Sequence, residues 1–436
     1  MIEKLSLKHK KSKEHTDFYR PFFALNRNAS GFTKEKKELI YTLVCNDAQG
    51  ANIFDVDGNK YIDLSMGFGS ILFGHNFKPI ADSIKEQLDL SWSVGPISPL
   101  AGKLAKEIAE ACDIERVAFF NSGTEAIMVA LRIAKTISKK NNIVFFKGSY
   151  HGTFDSLMSV KSNSETKLAQ EIIPGITQSI LNESFLLDYG SIESLDFIFK
   201  NKYQIAAVLV EPVQSRNPDF QPIEYLKELR ELTQQYGIVL IFDEIITGFR
   251  AHIGGCQKLF EIQADIVTYG KVIGGGLPIG IVAGKAKFMD AIDGGVWKFN
   301  DDSYPKTNAT FVAGTFCHHP LAMVAARKTL ELLTASDENL LEKLNLKTTK
   351  FRENLNVYFT QKGLNIRVAS FGSLFRFTTP GKSNLLYHQL LLNGVYVWEG
   401  RNCFFSLDHT QEIIDDLEER IKLSCEQLAD NGIIKI

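Results

Sequence analysis

Residues 241–280 read IFDEIITGFRAHIGGCQKLFEIQADIVTYGKVIGGGLPIG, and this stretch decides the fold. Two runs of apolar residues, 238–242 and 266–269, end directly before Asp243 and just before Lys271. Continuous apolar runs of this length are typical of strands in a parallel sheet that is covered on both faces. Because ligands bind beyond the carboxyl ends of such strands, Asp243 and Lys271 are expected to project into one crevice.

A carboxylate and a lysine in a glycine-lined pocket have a specific chemical use. A lysine amine forms a Schiff base with an aldehyde, and burial or a nearby cation lowers its pKa for this task. With pyridoxal phosphate, the carboxylate keeps the pyridine nitrogen protonated, and glycines 274–276 allow the backbone to approach the ligand closely. The alternative is an ion pair or two solvated charges at the strand ends. These residues alone leave both interpretations open.

The composition is that of an ordinary soluble globular protein. The chain has 436 residues, 44% of them apolar and 23% charged, so it can form a large core and at least two subdomains. A net charge of −2 excludes a global field that attracts nucleic acid or a membrane. The six cysteines are scattered without a CxxC pair, which indicates reduced thiols and no metal site. Without an apolar signal segment or spanning run, the prediction is a cytoplasmic protein with no nucleic-acid or membrane partner.

A second candidate site lies where strand 117–120 meets the following helix. The turn Ser122-Gly123-Thr124 opens this helix, and free N–H groups together with the helix dipole favour an anion there. The alternative is that the turn contains only an ordinary N-cap, which is the usual role of such residues.

Further polar residues follow other apolar runs. Run 143–146 leads to Tyr150 and His151, and run 206–210 ends at Glu211. An aromatic ring at a strand end is suited to covering a flat cofactor, although a buried Tyr–His pair is an alternative. Helix and strand patterns alternate from about residue 100, which predicts a doubly wound α/β domain.

In this order, the motifs resemble those of one enzyme family. They are NSGTEA, SYHG, EPV, DEIITGF, TYGK and AGTF followed by HPLA. The chain is similar to class III aminotransferases, which are fold type I pyridoxal-phosphate enzymes, and especially to the glutamate-1-semialdehyde aminomutase-like branch. Through EPVQSR, SMGFG and WEGRNCF, it most resembles the aminotransferase domains of hybrid polyketide/nonribosomal peptide synthetases. The resemblance covers nearly the whole chain.

The resemblance implies roles for individual residues. Lys271 matches the Schiff-base lysine, Asp243 the acid at the pyridine nitrogen, and Glu211 an acid near the substrate side of the ring. These three are the predicted catalytic residues. The predicted cofactor-binding residues are Ser122, Gly123, Thr124, Tyr150, His151, Asp243, Ile245, Lys271, Gly314 and Thr315. Among them, Ile245 and Tyr150 match the residues below and above the ring, and Thr315 matches one that reaches the phosphate of a neighbouring subunit.

The resemblance also implies an architecture. We expect a large domain with a mostly parallel central sheet at residues 96–325. A smaller α+β domain is expected at residues 326–436, to which part of residues 1–95 contributes. The active site is expected between the domains and across the interface of a homodimer.

Two departures affect the substrate prediction. Ser215-Arg216 replaces the Gly-Asn that usually follows EPV-x, and the NSPVR-like carboxylate loop of the aminomutases has no match. Four arginines are therefore candidates for binding the donor carboxylate, with the choice left open: Arg27, Arg216, Arg250 and Arg401.

The predicted reaction is transfer of an amino group from an amino-acid donor to a keto acceptor. Resemblance favours a 3-oxoacyl thioester on an acyl carrier protein, in natural product biosynthesis. Met66 and Phe68 suit an acyl chain, unless they are core residues, and the lysines at 8–13 suit an acidic carrier, unless they form a solvated face. The enzymatic alternatives are a free aldehyde or ketone as acceptor and a glutamate-1-semialdehyde aminomutase. A cofactor-free binding module is the non-enzymatic alternative.

Overall fold

The computed structural model describes residues 1–29, 32–92, 95–170, 173–335 and 339–434. The strands are β1 Cys45–Gln49, β2 Asn52–Asp55, β3 Lys60–Asp63, β4 Arg116–Phe120, β5 Asn142–Phe146, β6 Ser184–Leu187, β7 Ile205–Val210, β8 Val239–Asp243, β9 Ile266–Gly270, β10 Gly280–Gly284, β11 Arg367–Phe371, β12 Leu374–Thr378, β13 Val395–Tyr396 and β14 Cys403–Phe404.

The α-helices are α1 Ile2–Lys8, α2 Lys10–Tyr19, α3 Met66–Gly69, α4 Lys78–Leu90, α5 Pro99–Cys112, α6 Gly123–Ser138, α7 Gln178–Leu181, α8 Ile192–Lys200, α9 Ile223–Gln235, α10 Gly255–Phe260, α11 Ala286–Met289, α12 Pro320–Ala335, α13 Leu340–Gln361, α14 Leu386–Leu392 and α15 Gln411–Asp430. Short 3-10 turns lie at Asn26–Asn28, Lys34–Leu39, Asp155–Leu157, Lys271–Gly274 and Gly381–Leu385.

The chain forms two compact units. The first contains Met1–Lys78 and Leu346–Ile436, and the second contains Pro79–Asn345. The three-part division predicted from the sequence, with limits at residues 95 and 325, remains a prediction.

The second unit is built on one mixed sheet. Within the described residues it has seven strands in the order β4-β10-β9-β8-β7-β5-β6. β10 runs antiparallel to both β4 and β9, and the remaining neighbours pair in parallel. Every residue of β7, β8 and β9 is buried, as continuous apolar strands require when both faces are covered.

Helix α6 covers part of this sheet. It contributes Ile127, Ala130 and Ile133 to a core that also contains Leu209 and Ile241 from the sheet. These side chains are essentially inaccessible, so each large aliphatic one contributes about 1.5–3 kcal/mol through burial. This packing fixes the position of the α6 N-terminus relative to the carboxyl ends of the strands.

The first unit contains two small sheets, ordered β1-β2-β3-β13 and β11-β12-β14 within the described residues. His9, between α1 and α2, is buried against them. Its Nδ1 lies 2.6 Å from the Tyr41 hydroxyl and its Nε2 lies 2.8 Å from the Tyr61 hydroxyl, which donates to Asp55. Tyr61 therefore accepts from Nε2–H, and Nδ1 accepts from Tyr41. Burial lowers the pKa of His9 to about 4, so the neutral ring holds the N-terminal helices in place.

Candidate active site

Three strand ends bring the predicted catalytic residues to one edge of the large sheet. β8 ends at Asp243, Glu211 directly follows β7, and Lys271 directly follows β9. These strands are neighbours and run parallel, with Asp243 opposite Thr268 in the β8–β9 register. The three side chains therefore share the carboxyl edge of the sheet, where ligands bind in open α/β folds.

Asp243 is held by hydrogen bonds on both oxygens. The His151 ring nitrogen Nδ1 lies 2.7 Å from Oδ2, the Ile245 backbone N–H donates to Oδ1 at 3.1 Å, and the Thr268 hydroxyl lies 3.5 Å from Oδ1. Asp243 and His151 are both buried. The His151 Nε2 atom is also buried, and it has no hydrogen-bond partner in the described part of the chain. A buried ring nitrogen without a partner indicates that a polar group belongs beside it.

Lys271 combines a lowered pKa with a strained backbone conformation, as expected of a reactive lysine. Burial lowers the pKa of Lys271 to about 8, against the opposing attraction of Glu211 and Asp243, and the Arg250 cation lowers it further. The backbone of Lys271 has φ 48°, a left-handed conformation that costs a non-glycine residue about 1–3 kcal/mol. Strain of this kind is concentrated at functional sites, and here it coincides with the lowered pKa.

Glu211 joins two neighbouring segments at this edge. Its Oε2 accepts from the Tyr150 backbone N–H at 3.0 Å, and its Oε1 accepts from the Ser215 backbone N–H at 3.3 Å. Burial raises the pKa of Glu211, and the nearby Asp243 carboxylate raises it further. Tyr150 itself is 47% exposed, so the buried Tyr–His pair left open by the sequence does not form.

The N-terminus of α6 forms a cradle for an anion. Ser122 caps the helix by accepting from the Glu125 backbone N–H at 3.2 Å, and the first-turn N–H groups of Gly123 and Thr124 have no acceptor among the described residues. Two glycines at this turn, Gly123 and Gly152, leave no room for a side chain. A Cβ on Gly123 would lie 2.7 Å from Ile245 Cδ1, and one on Gly152 would overlap the Thr124 hydroxyl.

Four further predicted site residues lie outside the strand ends and the α6 turn in the sequence. A Cβ on Gly314 would lie 3.8 Å from Asn121 Nδ2, just before that turn. Gly314 and Thr315 are exposed in the second unit, with Gly314 beside Cys317. Met66 and Phe68 belong to the first unit, where Met66 is fully buried and Phe68 is 45% exposed. Their roles in binding the substrate or the phosphate remain predictions.

Two polar residues near the site were not singled out from the sequence. Thr268 donates to Asp243 across the β8–β9 pair, a contact for which a threonine inside an apolar run was the only signal. Glu244 is fully buried and accepts from the backbone N–H groups of Cys256 at 2.8 Å and Gln257 at 2.9 Å. It fixes the loop after β8, and the acidic doublet at a strand end was its signal.

Comparison with known proteins identifies the family. The family model for aminotransferase class-III matches residues 33–415, and the chain belongs to this family. Glutamate-1-semialdehyde 2,1-aminomutase of Natranaerobius thermophilus is 33% identical over 432 residues, covering 94% of both chains.

The solved structures agree with this assignment. A structure described as a transaminase with PLP bound has a TM-score of 0.86 and 25% identity, and it covers 97% of this chain and 99% of its own. An omega-transaminase from Sphaerobacter thermophilus has the same fold, with a TM-score of 0.84, 24% identity and coverage of 95% and 97%. The predicted fold type I architecture, with its mostly parallel sheet, is confirmed.

The protein is therefore a pyridoxal-phosphate-dependent enzyme, as predicted. The residues at the sheet edge fit this cofactor. The free N–H groups of Gly123 and Thr124 suit a phosphate, the doubly held Asp243 suits a protonated ring nitrogen, and the unpartnered Nε2 of His151 marks a place for a polar neighbour. Among the described residues, no helix is long and apolar enough to cross a membrane, and no cluster of potential metal ligands occurs.

Proposed function

We propose that the protein transfers an amino group from an amino-acid donor to a keto acceptor, using Lys271, Asp243 and Glu211. One observation carries the proposal: Lys271, with its pKa lowered to about 8, shares a sheet edge with the Asp243 carboxylate that His151 holds. A lysine that is neutral in part near physiological pH, beside a fixed acid, is the arrangement required for both covalent linkage and proton transfer.

The cofactor-binding roles follow the positions of the side chains. Asp243 would hold the ring nitrogen, and Gly123 and Thr124 would hold the phosphate through backbone N–H groups. Ile245 and Tyr150 would cover the two faces of the ring. When bound, pyridoxal phosphate supplies an electron sink that makes the Cα proton of an amino acid removable.

The lysine performs the proton transfer. Neutral Lys271 Nζ would take the Cα proton of the donor and deliver it to the C4′ carbon of the cofactor. In the acceptor half of the reaction, Lys271 would move a proton in the reverse direction, from C4′ to the carbon that receives the amino group. Because the pKa of Lys271 is about 8, the fraction in the neutral form rises as pH rises through this value. Burial raises the pKa of Glu211, and its two oxygens accept from the Tyr150 and Ser215 backbone N–H groups, so this residue would hold these two segments beside the cofactor.

Two exposed residues bear on the oligomeric state of the protein. Gly314 and Thr315 are exposed in one chain, which leaves them available to reach the phosphate bound by a second copy. We therefore infer a homodimer as the active species.

Incubation of the purified enzyme with single amino acids tests the reaction. A true donor converts the bound cofactor to its amine form, which abolishes the visible absorbance of the lysine-linked form. Lys271→Ala should lack that absorbance and lose turnover, since it removes both the linkage and the base. An alanine variant that transaminates at the wild-type rate would contradict the proposal.

The acceptor has two supported candidates. The curated relatives are glutamate-1-semialdehyde aminomutases, which favours that semialdehyde as the substrate. Resemblance in EPVQSR and WEGRNCF favours a carrier-bound 3-oxoacyl thioester. The lysine cluster offers limited support for the carrier, because Lys8 donates to the carbonyls ending α14 and Lys13 pairs with Glu38 at 2.8 Å, while Lys10 and Lys11 remain exposed.

A competition assay separates these acceptors. The amine form of the enzyme is offered a 3-oxoacyl carrier protein, the same acyl group as a free ketone, and glutamate-1-semialdehyde. If the carrier substrate reacts fastest, neutralising Lys10 and Lys11 should slow that reaction at low salt. A faster reaction with the semialdehyde would assign the aminomutase activity and exclude the carrier.

A further inference from the structure

Arg216 is an exposed cation at the carboxyl edge of the large sheet. Its guanidinium carbon lies 5.4 Å from the centre of the Tyr150 ring. Across the part of the chain that the structure describes, the Arg216 side chain forms no ion pair and donates no hydrogen bond. Stacking on an aromatic face limits the positions of the guanidinium while its N–H donors remain available.

The backbone around Arg216 is fixed to the candidate active site. The Glu211 carboxylate accepts from both the Tyr150 and the Ser215 backbone N–H groups, which places the two segments side by side. The adjacent Gln214 side chain is buried and donates from Nε2 to the Lys147 carbonyl at 2.8 Å. Arg216 therefore extends from a rigid loop whose preceding residues belong to the site.

The charges around Arg216 leave it suited to an anion. Asp243 is engaged by His151, and both oxygens of Glu211 accept from backbone N–H groups. The charge of the guanidinium is thus not compensated by the acids of the site. A planar guanidinium matches a carboxylate through two parallel hydrogen bonds, with a preference for this geometry that lysine lacks.

We infer that Arg216 is the specificity-determining residue that binds the carboxylate of the amino-acid donor. The inference rests on the proposed aminotransferase function, and it selects Arg216 among the arginines considered from the sequence. Arg250, by contrast, is fully buried.

The test compares a donor with its neutral isostere. Conversion of the cofactor to the amine form is followed with L-alanine and with L-alaninamide, for wild type and Arg216→Ala. A charge-assisted pair predicts that the variant loses about 10- to 100-fold in apparent affinity for alanine, seen as a raised KM with little change in kcat, and that alaninamide is almost unaffected. Arg216→Lys should be intermediate.

A matched control removes the same charge elsewhere. Lys200→Ala takes an exposed cation from the end of α8, at the opposite edge of the sheet, and it should leave both donors unchanged. Equal effects of Arg216→Ala on alanine and alaninamide, or no effect on either, would overturn the assignment of Arg216.

A binding measurement distinguishes this failure from failure of the proposed function. Propionate and propionamide are titrated into the holoenzyme by calorimetry, which requires no turnover. Wild type should bind propionate more tightly than propionamide, and Arg216→Ala should abolish the difference. If no amino acid converts the wild-type cofactor, the proposed function fails, whereas unchanged propionate binding by Arg216→Ala refutes the role of the arginine.

Discussion

Replacing Lys271 with methionine is expected to stabilise the cofactor-free protein at neutral pH, although it removes the residue proposed for linkage. Burial lowers the pKa of Lys271 from 10.5 to about 8, so the folded state disfavours the protonated amine. Because a tenfold change in proton affinity corresponds to about 1.4 kcal/mol, protonated Lys271 costs the folded state about 3 kcal/mol. The side chain is partly exposed, and water screens part of this cost. We expect a gain of about 1–3 kcal/mol.

The lowered pKa determines how the stability difference between wild type and Lys271→Met changes with pH. Below pH 8 the lysine is protonated in both states, so the full cost is present and the methionine variant has its largest advantage. Between pH 8 and 10.5 the unfolded chain keeps a proton that the folded chain has released. The stability of wild type therefore rises with pH across this window, and the advantage of the variant shrinks.

Urea unfolding of the cofactor-free proteins measures this difference. The free energy of unfolding is determined for wild type and Lys271→Met at several pH values from 7 to above 10. Lys200→Met, which removes an exposed lysine, serves as the control and should follow wild type at every pH. A Lys271→Met advantage that is absent at pH 7, or that does not change across the window, would refute the assigned burial of the amine.

Three further predictions test other parts of the site. Asp243→Asn should keep the lysine-linked absorbance but slow the donor half-reaction by about 10²–10³-fold, because an amide cannot hold the ring nitrogen protonated and His151 loses its charged partner. An unchanged single-turnover rate would show that Asp243 does not belong to the site. Gly152→Ala places a Cβ against the Thr124 hydroxyl at φ 81°, so it should lower stability by about 1–3 kcal/mol and weaken cofactor binding, and an unaltered Tm and cofactor Kd would contradict the packing. Thr315→Ala should weaken cofactor retention if the residue reaches a second subunit, and sedimentation that shows a fully active monomer at assay concentration would exclude that arrangement.

The sequence predicted the sheet edge well because its signals are local. Each apolar run is covered on both faces, and the residue that ends it must lie at the rim. The sequence therefore predicts that Lys271 and Asp243 lie together, and the β8–β9 register agrees with this. The helix start at Gly123 was also readable, since a capping serine followed by glycine is a short-range pattern.

The contacts that connect distant segments could not be predicted from the sequence. His151 and Asp243 are 92 residues apart, and nothing local to either one shows that the ring holds the carboxylate. The reversed direction of β10 was equally hidden, because an apolar strand has the same composition whether its neighbours run parallel or antiparallel. The position of Arg216 over Tyr150 likewise depends on the folding of two loops around Glu211.

The antiparallel strand β10 sets the distance between the two ends of the proposed cofactor site, which are the α6 N-terminus and Lys271. Gly280, the first residue of β10, pairs with Phe120 on one side and with Gly270 on the other, and a side chain on it would overlap the Ser122 carbonyl. The helix N-terminus and Lys271 are thus joined through two hydrogen-bonded ladders that share one strand. Their separation is a property of the sheet, present before any ligand binds. Differences in substrate range are therefore expected to arise from the loops beside the proposed cofactor site, such as the loop that carries Arg216. The α6 N-terminus and Lys271 are expected to keep their positions.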